Sequence, residues 1–496
     1  MTRAREVGAH GWGQRAGDDP AGDDDLHVAP GPLPGGSHEH GRAVPLARRR
    51  SAAALAELTE LDGRPTGLFR LGGGTHRGAI GPAEGETVAR LIRTATDLGA
   101  PVIGLLATSG ADVTHGIASL HAWGQVARAL TAASGVVPVA MVVSGPCLAG
   151  PALLLGLADV VVVTKESYAY VSGPAVVRGF TGQEVTHDVL GGPAVHMVRT
   201  GVAWAEAADE DEALGVVLDY LAYLPANNGE EPPARWLTDP VDRDTAVAAA
   251  TVPARPTASY DVRAVVEDVV DEHSFLEVRR LHAPSMVTGM ATVGGQPVGV
   301  VANQPSSMAG TIDIDASRKA ARFVQLCDSF NVPLLTFVDT PGFQPGKDVE
   351  WRGMIRHGAE LVHAYAAASV PRVAVVLRKA YGGAYIVMDS RGLGGDVSLA
   401  WPGAEVAVMG PAGAVSVLHG RTLAAIDDEA ERERERTALE EDYAARYCSS
   451  LVAAERGFVD DVIEPVDTRR AVAAALAALR TKRERLPRRR HANTPL

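Results

Sequence analysis

Two glycine-bearing turns in this 496-residue chain have the residue types needed to bind a carbonyl oxygen. In one, the apolar run Val139-Ala-Met-Val-Val143 leads into Gly145-Pro-Cys-Leu-Ala-Gly150 and then an apolar helix. In the other, Val373-Ala-Val-Val-Leu377 leads into Arg378-Lys-Ala-Tyr-Gly-Gly-Ala-Tyr385 and a second helix. A turn between a buried strand and a helix start leaves backbone N–H groups without intrahelical acceptors, and glycine there lets a ligand approach closely. Two such N–H groups make an oxyanion hole, which stabilises an enolate or another developing anionic oxygen. A pair of holes suits a reaction in which two carbonyl compounds both develop charge on oxygen. The sequence carries no GxSxG elbow, no HExxH pair and no phosphate loop ending in GK[ST]. No acid–base pair stands out either, which fits chemistry in which a cofactor supplies the base.

The elements that must position these turns are copies of one another. Gly63-Arg-Pro-Thr-Gly67 matches Gly295-Gln-Pro-Val-Gly299, 232 positions on. The same offset pairs Arg90 with Arg322, Pro101 with Pro333 and Gly110 with Gly342. One position later in offset, Val137-Pro138 pairs with Val370-Pro371, so that Ala149-Gly150-Pro151 falls on Gly382-Gly383-Ala384. This is internal duplication. Within each copy, apolar strands alternate with amphipathic helices, which predicts two α/β domains with largely parallel sheets. Ligands of such sheets sit where strands end and helices begin.

The spacing predicts five segments. Residues 1–50, rich in Gly, Asp, His, Pro and Arg, read as a disordered tail. The first domain spans 51–228 and the second 260–480. A Pro- and Asp-rich linker, 229–259, joins them, and 481–496 is a basic tail. Hydrophobic residues at 46% can fill two cores. A net charge of −13 argues against nucleic acid as a partner. The clusters Arg48-Arg49-Arg50 and Arg488-Arg489-Arg490 read as solvated tails. Cys147, Cys327 and Cys448 lie far apart with no CxxC pair, so neither a zinc ribbon nor a disulfide framework is expected. No apolar signal core and no run of about 20 apolar residues is present. A soluble, cytoplasmic protein without metal is the expectation.

At these residues the sequence resembles the β-subunit family of biotin-dependent acyl-CoA carboxylases, the propionyl-CoA and acetyl-CoA carboxylase carboxyltransferases. The matching segments include Val301-Ala-Asn-Gln304, Asp313-Ile-Asp-Ala-Ser-Arg-Lys-Ala-Ala-Arg-Phe323, Phe337-Val-Asp-Thr-Pro-Gly-Phe343, Met354-Ile-Arg-His-Gly-Ala359, Arg378 to Tyr385 and Gly457 to Glu464. The resemblance runs from about Gly63 to the end. It implies two tandem crotonase-like domains and a ring-shaped homo-hexamer, a trimer of dimers, with active sites shared between subunits. The N-terminal domain is then the acyl-CoA side and the C-terminal domain the biotin side. Residue by residue, Gly383 and Ala384 would cradle the biotin ureido oxygen. Gly150 and Pro151 would face the acyl thioester. Ala149, Gly173, Pro174, Gly191 and Gly192 would line the CoA side, and Gly342, Phe343, Tyr381 and Ile386 the biotin side. Carboxybiotin, carried on a separate carrier or α subunit, would release CO₂; its ureido nitrogen would take the α-proton, and the enolate would attack CO₂. No Ala-Met-Lys-Met-type site for attached biotin exists around Lys165, Lys319 or Lys379.

Four features depart from the family pattern. Pro151 stands where the family usually has Ala, and proline has no N–H. The family's Ser-Gly-Gly-Ala-Arg stretch reads Ser109-Gly110-Ala111-Asp112, an anion for a cation. The N-terminal helical region with its Arg-Glu-Arg motif is replaced. Ile386 follows Tyr385 where propionyl-preferring members often carry Asp; an apolar residue there is associated with broader acyl choice. The expected reaction is carboxyl transfer to a short acyl-CoA of the acetyl, propionyl or butyryl type. Two alternatives accompany it: a weakened subunit that scaffolds a hetero-oligomer with a paralogue, and an acyl-CoA decarboxylase subunit.

Overall fold

The computed structural model describes residues 47–495 apart from 74–75, 236–238, 483, 485 and 489–492. Most of the segment read as a disordered tail lies outside the described residues. Its last four residues correct that reading. Strand β1, Ala47–Arg50, pairs antiparallel with β2, Ala54–Leu61, and Arg48 Nε bonds Glu57 Oε2 at 3.0 Å. The arginine cluster is drawn into an edge strand by the complementary acid across the pair.

Two eight-stranded sheets follow one another along the chain. The first adds β3 (Arg64–Leu71), β4 (Val102–Thr108), β5 (Val139–Leu148), β6 (Val160–Thr164), β7 (Tyr168–Tyr170) and β8 (Ala205–Ala207). The second holds β9 (Leu276–Val278), β10 (Met286–Val293), β11 (Gln296–Asn303), β12 (Leu334–Thr340), β13 (Arg372–Tyr381), β14 (Val397–Ala400), β15 (Glu405–Ala407) and β16 (Asp461–Val462). In each, an antiparallel hairpin feeds a run of parallel strands, β3-β4-β5-β6-β8 and β11-β12-β13-β14-β16. The central strands are unbroken apolar runs such as Val160-Val-Val-Val163 because both faces of the sheet are covered. Helices α1 (Pro82–Asp97) and α2 (Ile117–Ala133) cover one face of the first sheet, while α3 (Glu210–Leu221) packs on the other.

The duplication holds in register as well as in sequence. Gly67 pairs with Val102, and Gly299 with Leu334. Both central pairs are interrupted at the same place, resuming at Thr108–Cys147 and Thr340–Ala380. Gly78 and Gly310 both adopt positive φ (75° and 76°). A Cβ on either would lie 2.3 or 2.4 Å from the carbonyl oxygen of Ala107 or Asp339. Only glycine fits there.

The two halves share a core rather than merely touching. Ile103, Val142, Trp204 and Leu218 of the first half belong to one apolar cluster with Met290, Phe323 and Val338 of the second. Arg322 on helix α4 (Ile314–Ser329) bonds Asp159 Oδ1 at 3.1 Å across the boundary. A cavity of about 710 Å³ lies at this boundary, with Arg199, Arg279, Arg318, Lys319 and Arg322 on its wall. The stretch expected to be a linker is docked on the second half. Arg235 N–H donates to Gly295 O (2.7 Å). Arg378 Nη1 donates to the carbonyls of Arg255 and Ala258, and Lys379 Nζ to that of Pro256. Cys147, Cys327 and Cys448 are all free and buried, as the absence of paired spacing predicts. No helix among the described residues is long and apolar enough to cross a membrane.

Candidate active site

Each half ends two central strands side by side, and the loops beyond them form the candidate sites. In the second half, β12 runs into Pro341-Gly342-Phe343. Thr340 Oγ1 accepts from Gly342 N–H at 3.3 Å, and Gly342 takes a φ of 146°. Ile312 N–H donates to Gly342 O, and Gln344 N–H donates to Ile312 O. This bridge uses the groups on either side of Phe343. The Phe343 N–H therefore turns to the opposite side, towards β13. Strand β13 ends at Tyr381, and the short helix α5, Gly382–Val387, begins with Gly382 at a φ of 59°. The amides of Gly383 and Ala384 lie in its first turn and have no intrahelical acceptor. A Cβ on Gly383 would meet only the Phe343 ring, at 3.5 and 4.0 Å, and one on Gly342 would meet nothing within 4 Å. The turn is thus open above its free amides. Tyr381 is held beside it by its hydroxyl, which donates to the Glu405 carboxylate. Burial and this bond push the phenol far above its ordinary range. Ile386 lies three residues beyond Gly383 on α5, 43% exposed.

The first half repeats the arrangement with different side chains. Thr108 Oγ1 accepts from Gly110 N–H at 3.2 Å, and Ile80 brackets Ala111 as Ile312 brackets Phe343. The Ala111 N–H is left facing the β5 side, a donor the sequence reading missed. The residue in Gly382's place is Ala149, with φ 59° and ψ −142°. That conformation is strained for a residue bearing a Cβ. The helix after it, Gly150–Leu157, is of the tighter 3₁₀ type, with Ala152 N–H donating to Ala149 O (3.1 Å). Pro151, buried in its first turn, cannot donate. Gly150 is covered where Gly383 is open. A Cβ on Gly150 would lie 2.8–3.0 Å from Cε2, Cζ2 and Nε1 of Trp123 on α2. Trp123 too was missed, because its position in an amphipathic helix reads as ordinary packing.

The remaining CoA-side residues divide. Gly173 caps the helix Pro174–Thr181 and sits 3.3 Å, at its Cβ position, from the Tyr170 ring. Tyr168, Tyr170 and His187 stack in one shelf, with Tyr170 Oη 2.7 Å from His187 Nδ1. Gly191 and Gly192 are glycine for packing, since Cβ atoms there would meet the backbone of Ala169 at 2.0 Å and of Asp188 at 2.8 Å. Asp112 is tied into an internal knot. Thr114 donates to it through Oγ1 (2.7 Å) and N–H (2.9 Å), while His76 Nδ1 and His115 Nδ1 lie 2.9 and 3.3 Å away. The Thr114 and His76 bonds hold its carboxyl well below the usual carboxylate range. Among the described residues no group of three His, Cys, Asp or Glu side chains is placed to hold a metal ion.

Comparison with known proteins gives this geometry its context. Residues 53–494 match the carboxyl transferase domain family. The propionyl-CoA carboxylase carboxyltransferase subunit of Haloferax mediterranei is 44% identical over 438 residues, covering 88% of this chain and 84% of that protein. The methylmalonyl-CoA decarboxylase α subunit of Veillonella parvula is 38% identical, with 88% and 84% covered. The crystal structure of the transcarboxylase 12S hexamer with hydrolysed methylmalonyl-coenzyme A superposes with a TM-score of 0.86 at 39% identity, over 92% of this chain and 88% of that one. The two sheets are accordingly tandem crotonase-like domains. The chain belongs to the carboxyl transferase family, among the β subunits of biotin-dependent acyl-CoA carboxyltransferases.

Proposed function

We propose that the chain transfers a carboxyl group from carboxybiotin to the α-carbon of a short acyl-CoA, of the acetyl, propionyl or butyryl type. The observation that carries this reading is the open turn at Gly382–Ala384, whose strand-to-helix path recurs in the first half at Ala149–Pro151 beneath Trp123. Its free amides and empty space suit a flat ring presenting a carbonyl oxygen, so the residues fit biotin. Carboxybiotin, borne on a separate carrier protein, supplies the carboxyl group and the base. In this reading Gly383 and Ala384 N–H donate to the ureido oxygen, and Phe343 walls the ring. Gly150 N–H donates to the thioester oxygen, whose charge grows as the α-carbon is deprotonated. Gly342, Tyr381 and Ile386 border the biotin side, and Gly173 and Pro174 the CoA side. The two turns belong to different sheets. In a hexamer of the kind the 12S protein forms, a site shared between subunits, as the family resemblance implies, would join the first half of one subunit to the second half of another. The partner would be a biotin carboxylase and carrier subunit. Assay of the purified chain with biotinylated carrier and a panel of acetyl-, propionyl- and butyryl-CoA tests the proposal. No transfer to any of them overturns it.

A second reading draws on Pro151, whose missing N–H weakens the acyl side. The chain would then scaffold a hetero-oligomer with an intact paralogue. Activity of the chain without a paralogue rules this out.

A further inference from the structure

The two copies differ at one place that bears directly on the chemistry. In the second half the helix start offers two successive amides, Gly383 and Ala384, beneath open space. In the first half the second amide is gone, because Pro151 occupies the position, and the space is not open. The edge of the Trp123 indole that bears its nitrogen lies over Gly150, with Nε1 3.0 Å and Cε2 2.8 Å from where a Cβ would stand. Cα–Cβ bonds tilt towards the helix N-terminus, so this edge lies beside the first turn on its N-terminal side. Indole nitrogen is a donor only. Among the described residues Trp123 Nε1 donates to no protein acceptor, and the ring is only partly buried.

We propose that Trp123 is a catalytic residue of the acyl side, its Nε1–H replacing the N–H that Pro151 lacks. With the Gly150 N–H it donates to the thioester oxygen as that oxygen takes on enolate charge. No bond to Trp123 forms or breaks; it gives one hydrogen bond that strengthens with the charge. The two departures then belong together, since a side-chain donor at Gly150 makes the amide at 151 dispensable. The inference rests on the carboxyl-transfer reading for its substrate.

The test is a cycle of Trp123→Phe and Pro151→Ala in the full chain, assayed with carrier and acyl-CoA. Trp123→Phe keeps the ring and removes the N–H. It should lower kcat about 10²-fold with little change in KM for acyl-CoA. Pro151→Ala, which puts an amide back at the helix start, should recover most of the loss in the Trp123→Phe background. Trp123→His, which keeps a ring N–H, should lose less than Trp123→Phe. Thermal melts check that each variant folds. An unchanged kcat with altered acyl-chain preference would make Trp123 a pocket wall and overturn the inference, as would failure of Pro151→Ala to rescue. A second arm needs no carrier: binding of an acyl-CoA analogue bearing a nitronate in place of the enolate should weaken at least tenfold in Trp123→Phe, while the plain thioester binds unchanged. Equal nitronate binding overturns the role of Trp123. Tight nitronate binding by a chain that transfers no carboxyl group overturns the reaction instead.

Discussion

Thr108 and Thr340, 232 positions apart, make the same hydrogen bond: each hydroxyl accepts from the amide of the glycine two residues on, at 3.2 and 3.3 Å. Each bond fixes the bend that leaves the next amide, of Ala111 or Phe343, facing the neighbouring strand. The scaffold of the two sites is thus the same, and their differences lie in what covers the turns.

Gly383→Val should abolish carboxyl transfer without unfolding the chain. The added Cβ makes an ordinary contact with Phe343 at 3.5 Å, while the methyl groups fill the space above the free amides. Loss of the donors should cost about 10²-fold or more in rate. A melting curve alongside the transfer assay separates the two effects, and an active variant would place biotin elsewhere.

Pro151→Ala in the otherwise unaltered chain should fold and turn over at least as fast as the parent. The lost rigidity costs about 0.5–1 kcal/mol of stability. A several-fold fall in kcat at unchanged melting temperature would mean that Pro151 shapes another pocket.

Gly310→Ala should be strongly destabilising, on the order of several kcal/mol. Its φ is 76°, and the new Cβ would press to 2.4 Å from Asp339 O, a rigid strand-end carbonyl. Gly403→Ala, with nothing within 4 Å and no positive φ, is the control and should stay close to the parent. Equal melting temperatures would contradict the packing described for the repeat.

Lys319 gives a pH signature. Burial pushes its ammonium down to about 7 from 10.5, against the pull of two carbonyls, Arg279 O and His282 O, at 2.9 and 2.8 Å. Between these pH values the unfolded chain binds the proton more readily than the folded one. Stability from this residue therefore rises as pH climbs from about 7 to 10.5, and its penalty is fully present below 7. Lys319→Met should flatten that part of the stability profile, read by denaturant titration at several pH values. An unaltered slope would show that the site stays charged when folded.

Much of this was legible in the sequence, and the reasons are physical. The repeat was visible because strand registers and positive-φ glycines constrain both copies alike, so Gly110 aligned with Gly342 and, after a single one-residue shift, Gly150 with Gly383. The departures at Pro151 and Asp112 were visible too, but not their surroundings. Trp123 looks like any half-buried helical residue until the fold lays it across Gly150. His76 and His115 both reach Asp112 Oδ2, the first through a loop contact 36 residues apart that no periodicity announces. Ala111 became a donor candidate only once the bridge to Ile80 fixed which way its amide turns. Gly191 and Gly192 carry a requirement the sequence did not show, the close backbone approach of Ala169 and Asp188.

The seating of the linker bears on how such proteins can be recombined. Arg378 and Lys379 come from the same short segment as the Gly382–Ala384 turn, and they share the buried Asp339 carboxylate with Tyr260. Arg378 Nη1 and Lys379 Nζ donate to carbonyls of Arg255, Pro256 and Ala258. A chimera that takes a relative's second half from Tyr260 onward would part the two buried cations from the segment that is seated to accept from them, at the very end of the strand that presents the biotin turn. The exchangeable unit begins upstream of Pro253, and grafts made there should keep the turn's geometry, whereas grafts made seven residues later should not.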